Sequence, residues 1–124
     1  MLRAMNFDIK TEQLGDEVYV ISFAGEADLY TAPELKQELL EVISEGASQV
    51  IVDFSNATLI DSTTLGVLVG SLRRLAPVDG RLSIVCGDSS VAKVFELTHL
   101  DRVFPIYDDR DDAVAALDPA IATA

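Results

Sequence analysis

Apolar residues along the chain alternate between two spacings. Val18-Tyr-Val-Ile-Ser-Phe23 is β-branched or aromatic at nearly every position, which predicts a strand buried on both faces. Phe7-Asp-Ile9 predicts a weaker strand before it, with Gly15-Asp16 as the turn. Leu35, Leu39, Val42 and Ile43 then share one helical face, and Glu34, Glu38, Glu41 and Glu45 share another. Thr31-Ala-Pro-Glu34 predicts the start of that helix. Thr31 is its expected N-cap, Pro33 sits in the first turn where a missing N–H costs little, and Glu34 completes a capping box. Gly46 predicts its end.

Val50-Ile-Val-Asp-Phe54 is short and almost wholly apolar, as a buried central strand should be. Ser55-Asn-Ala-Thr58 reads as a polar turn leading to Leu59-Ile60 and Asp61-Ser62. Leu65, Leu68, Leu72 and Leu75 return to helical spacing, with Arg73 and Arg74 in the last turn, where cations suit the helix dipole. Pro77 and Asp79-Gly80 make a turn into a strand at Leu82–Cys86. Asp88-Ser-Ser90 predicts the cap of a helix carrying Val91, Val94 and Phe95. Phe104-Pro-Ile-Tyr107 predicts a last short strand, placed at an edge by Pro105. A final helix is expected from Asp111 through Ala113, Val114 and Leu117, with a frayed tail after Pro119. The order β-β-α-β-α-β-α-β-α predicts an α/β domain with a small mixed β-sheet and packed helices. One domain is expected over residues 1–124, with its core from about 7 to 117.

Charge narrows the possible partners. Nine Lys and Arg stand against 21 Asp and Glu, for a net charge of -12. Phosphate neutralisation needs clustered cations, so neither nucleic acid nor an anionic membrane is an expected partner. The single cysteine, Cys86, cannot form an internal disulfide, and no Cys/His cluster suggests zinc. The N-terminal segment lacks the apolar stretch of a secretory signal, and no apolar run reaches membrane-spanning length. A cytoplasmic protein without a cofactor of its own is the expectation.

The most informative segment is the passage from Val52 to Gly70. A buried strand leads into a helix whose first residues, Asp61, Ser62 and Thr63, are acidic or hydroxylated. Backbone N–H groups at a helix start lack internal partners, and the dipole there favours negative charge. A phosphoryl group on such a hydroxyl would be tolerated by its own helix. The plainer alternative is that Asp61 or Ser62 merely caps the helix.

Asp61-Ser-Thr-Thr-Leu-Gly66, following Val50-Ile-Val-Asp-Phe and a Leu-Ile pair, resembles the signature of bacterial anti-sigma factor antagonists, which are single STAS domains. Gly25-Glu-Ala-Asp-Leu-Tyr-Thr-Ala-Pro-Glu-Leu35 resembles the family's G-E-x-D-x-x-T-A-x-x-L loop and helix start. Gly80-Arg-Leu-Ser-Ile-Val-Cys86 and Val91–Leu100 resemble its later strand and helix. The resemblance runs from about Phe7 to Leu117 and implies a partner switch. The unphosphorylated antagonist binds an anti-sigma factor serine kinase of the histidine-kinase-like ATPase fold and so releases the sigma factor. Phosphorylation of the serine after the signature aspartate ends the interaction, and a serine phosphatase restores it. The resemblance implies Ser62 as the phosphoacceptor, and Asp28, Asp61, Ser62, Thr63, Leu65 and Gly66 as partner-binding residues. Thr64 departs from the glycine common in the family, which leaves Thr63 or Thr64 as alternative acceptors behind Ser62.

Other chemistries find less support. No G-x-S-x-G elbow surrounds Ser62, and His99 is the one histidine, so a hydrolytic triad is not expected. Asp108-Asp-Arg-Asp-Asp112 lacks calcium-loop spacing and reads as a solvated helix start. Cys86 is expected to be buried, and Gly25 and Gly66 belong to no phosphate-cradling motif. Two alternatives to the antagonist reading remain: a STAS subunit of an ABC-type lipid transporter, gripping its ATPase, and a small lipid-binding or carrier protein.

Overall fold

The computed structural model describes residues 7–87 and 90–117. Its strands are β1 (Phe7–Gly15), β2 (Val18–Ala27), β3 (Gln49–Ile60), β4 (Arg81–Val85) and β5 (Ile106–Tyr107). Its helices are α1 (Ala32–Ser44), α2 (Ser62–Leu75), α3 (Ser90–Leu97) and α4 (Arg110–Ala115). The strands lie side by side in sequence order. β1 is antiparallel to β2, and β2 through β5 are parallel.

Topology places the helices. Three successive crossovers step across the sheet in the same direction, and right-handed crossovers then put α1, α2 and α3 on the same face. The main core is there: Ile21, Phe23, Val52 and Phe54 meet Leu35, Leu39, Leu68 and Phe95. The opposite face is thinner. Val20, Ile51 and Val85 pack there against Ala113 of α4. β2 and β3 are therefore buried on both faces over their first halves, as their unbroken apolar runs predict.

Three local expectations are corrected. β3 does not stop at Phe54 but continues through Ser55-Asn-Ala-Thr to Ile60. Within β3, only Gln49–Asp53 pair with β4. Beyond that point β3 has β2 alone beside it, so Ser55, Asn56, Thr58 and Leu59 can be exposed without leaving the strand. The last strand is only Ile106–Tyr107, with Pro105 just outside it; the Pro105 carbonyl accepts from Ile84 N–H at 2.9 Å. The expected cap at Asp88-Ser-Ser90 begins on residues outside those described, as does the tail after Pro119.

The third correction concerns the start of α1. Thr31 stands at the N-cap position, but its side chain makes no capping bond to the helix. Its hydroxyl donates instead to the Glu26 carbonyl at 2.6 Å and accepts from Asp28 N–H at 3.0 Å. No capping box closes, because the loop has captured the hydroxyl. The other end of α1 is as expected. Gly46, at φ 99°, follows the C-cap Glu45. Gly46 N–H donates to Ile43 O at 3.1 Å and Ala47 N–H to Val42 O at 3.0 Å, the paired bonds of a Schellman termination.

Candidate functional site

The C-terminal edge of parallel strands is where helix N-termini gather and where ligand sites form in open α/β sheets. Here β2 runs into the 28–31 loop and α1, and β3 runs directly into α2. Ala27 and Ile60 are register partners, and Asp61 N–H donates to Ala27 O at 3.1 Å. This backbone bond ties the two junctions together. It brings Asp28 and Asp61 to one edge of the molecule.

The first junction is closed upon itself. Asp28 Oδ1 accepts from Tyr30 N–H at 2.9 Å and Thr31 N–H at 3.2 Å, an Asx turn that shapes the loop. The second junction is capped and open. Asp61 has extended backbone (φ -121°, ψ 178°), and its Oδ1 accepts from Thr64 N–H at 3.1 Å. It also accepts from Thr64 Oγ1 at 3.3 Å. Asp61 is thus the cap that the plainer reading allowed, which frees Ser62 from that task.

Burial then separates the hydroxyls. Thr64 is fully buried (0% exposed) and bonded to Asp61, so it presents no oxygen to a modifying enzyme. Ser62 and Thr63 are exposed, and neither hydroxyl makes a hydrogen bond among the described residues. Ser62 is the first residue of α2, where unpaired backbone N–H groups and the dipole favour a phosphate. Arg73 and Arg74 lie at the other end of the helix.

The remaining expected contact residues divide. Gly66 is exposed one turn along α2 from Ser62 and Thr63. Leu65 is buried at 7% exposure and belongs to the main core. Helical phase turns it about 100° away from Gly66 and into the core, where it anchors α2 instead of offering a contact surface. Three apolar side chains that sequence reasoning passed over stand at the same edge: Leu29 is 60% exposed, Tyr30 68% and Leu59 43%. Leu59 is in register with Glu26, just before the 28–31 loop. A signal existed, since Leu29 and Tyr30 sit inside a polar turn with no periodic partner to bury them.

Other candidate chemistry is dispersed. His99 lies just past the C-terminal end of α3, exposed, with left-handed backbone (φ 61°). Ser62 begins α2 at one edge of the sheet, and α3 ends at the opposite edge, so the two cannot form a dyad. Cys86 is 1% exposed. Burial, reinforced by Asp108, Asp53 and Glu96, pushes its thiol up to about 11. It stays protonated near neutral pH and is no nucleophile. Among the described residues no group of His, Cys, Asp and Glu could hold a metal ion, and no helix is long and apolar enough to cross a membrane. Asp109 Oδ1 accepts from Asp112 N–H at 2.8 Å, so the acidic run caps α4.

A mixed five-stranded sheet with three helices on one face and a fourth on the other is the STAS fold. The chain belongs to the STAS domain family, whose model matches residues 9–113. It is 36% identical to an anti-sigma-B factor antagonist of Staphylococcus epidermidis over 96 residues, covering 77% of this chain and 88% of that one. It is 35% identical to the protein of the same name in Staphylococcus aureus, with the same coverage. An anti-sigma factor antagonist from Mycobacterium paratuberculosis superposes with a TM-score of 0.81 at 30% identity, covering 93% of this chain and 97% of that one.

Proposed function

We propose that this chain is an anti-sigma factor antagonist that binds an anti-sigma factor serine kinase while Ser62 is unmodified. The observation that carries the reading is the division of labour at the start of α2. Asp61 caps the helix, Thr64 is sealed beneath it, and the Ser62 hydroxyl is left exposed and, among the described residues, unbonded. Binding releases the sigma factor, and phosphorylation of Ser62 ends binding. A serine phosphatase resets the switch. The domain acts by occupying a surface and has no catalysis of its own.

The contact surface comprises Ser62, Thr63 and Gly66, with Asp28 and Asp61 shaping it and Leu29, Tyr30 and Leu59 supplying exposed apolar area. A phosphate adds about -1.5 to -2 charge, beside two carboxylates already present at this edge. A penalty of about 3 kcal/mol weakens binding roughly a hundredfold. The N-terminus of α2 accommodates the same phosphate, so the fold survives while the surface becomes more negative.

The test is phosphorylation by purified anti-sigma factor kinases with ATP, read by intact mass and by mapping the modified residue. One phosphate on Ser62, absent from Ser62→Ala, is expected. Phosphate on Thr63, with Ser62→Ala still modified, would overturn the assignment of Ser62.

A further inference from the structure

Beside Ser62, along α2, lies a second feature. Thr63, Gly66, Val67, Gly70 and Arg74 fall on one stripe of the helix. They line a groove of about 330 Å³ against α1. At three-to-four-residue spacing the stripe runs roughly 16 Å, about three helical turns. Leu40 forms the α1 wall, with Lys36 on the same helix.

The floor is glycine without an internal reason for it. A Cβ at Gly66 or Gly70 would meet nothing within 4 Å. Gly80 is different, because an added Cβ would lie 2.7 Å from Leu75 Cβ. Glycine in a helix interior is unfavourable relative to alanine. Two such residues, one turn apart and with room for a side chain, keep the groove deep at a cost to the helix that carries it.

Charge indicates the occupant. The chain carries -12 overall, yet the groove is lined by Lys36 and Arg74 and by no acidic residue. Neither cation makes an ion pair among the described residues. The shallow concavity on the outer face of α1, by contrast, includes Glu41. The groove mouth at Thr63 adjoins Ser62, so it is continuous with the proposed contact surface. A floor of Gly66, Val67 and Gly70 and a Leu40 wall, flanked by two cations and by the Thr63 and Ser71 hydroxyls, fits an amphipathic helix with acidic residues beside its apolar stripe.

We infer that the α1–α2 groove docks an acidic amphipathic helix of the same anti-sigma factor kinase, so that the partner is held at two points and only one, Ser62, is switched. This rests on the antagonist reading. It assigns the groove to recognition of the kinase and the helix start to regulation of that binding.

The experiment measures affinity for the purified kinase that binds the unmodified chain. Gly70→Leu fills the groove at an exposed helical position without disturbing the core. It should weaken binding at least tenfold with no fall in melting temperature. Lys36→Glu combined with Arg74→Glu should do the same and flatten the salt dependence. Gly70→Ala, with only a methyl, should bind nearly as wild type. A photo-crosslinker at Leu40 should join to an acidic helical peptide of the kinase. Affinities within twofold of wild type for both groove variants, with release on Ser62 phosphorylation intact, would overturn the groove and leave the antagonist reading standing. Loss of a dimer in Gly70→Leu with kinase affinity unchanged would make the occupant a second copy and also overturn it. If the wild type binds no anti-sigma factor kinase, both readings fall together.

Discussion

The two strand-to-helix junctions at the C-terminal edge of the sheet use nearly the same residues for opposite ends. Each has an aspartate leading into the helix and a hydroxyl three residues on: Asp28 with Thr31, Asp61 with Thr64. In the first, aspartate and threonine bond within the loop, and Thr31 Oγ1 is pinned between Glu26 O and Asp28 N–H. In the second, β3 enters α2 without a loop, and Asp61 reaches Thr64 directly. The first junction makes a rigid shoulder. The second makes a capped helix whose first two side chains have no structural duty. Hydroxyls with a structural role are buried here, and hydroxyls with none are exposed.

That contrast can be broken from either side. Thr31→Val keeps the shape but deletes a buried donor and acceptor, leaving Glu26 O without its 2.6 Å partner. A loss of about 1–3 kcal/mol in denaturant unfolding is expected. Asp61→Ala removes the α2 cap and should cost about 1 kcal/mol, read as a lower midpoint with unchanged slope. Ser62→Ala and Thr63→Ala should each change stability by less than about 0.5 kcal/mol. A large destabilisation by Ser62→Ala would mean its hydroxyl is structural after all, and the division between the junctions would be wrong.

Much of the architecture was legible in advance because the periodicities were strong. Val18–Phe23 and Val50–Phe54 read as two-faced strands, and Tyr19 and Ile21 do face one core while Val20 faces the other. Residues whose environment depends on distant neighbours were less legible. The polar run 55–58 looked like a turn because nothing local reveals that β4 stops pairing at Asp53. Thr31 looked like a cap because nothing local weighs the helix N–H groups against the Glu26 carbonyl. Leu65 looked like a contact residue by its place in the motif, yet helical phase turns it inward with Leu68. Ser62 and Asp61 were visible as a pair. Which of them capped the helix, and that Thr64 was sealed from modification, needed the hydrogen bonds.

The central claim is that charge at Ser62 decides partner binding while the fold stays intact. The most direct measurement is the kinase affinity of the Ser62-phosphorylated chain and of Ser62→Glu beside Ser62→Ala, with melting temperatures taken on the same samples. The expected result is roughly hundredfold weaker binding for the phosphorylated chain, weakening in the same direction for Ser62→Glu, near-wild-type binding for Ser62→Ala, and little change in melting temperature. Equal affinity of all the forms for the kinase would contradict the account.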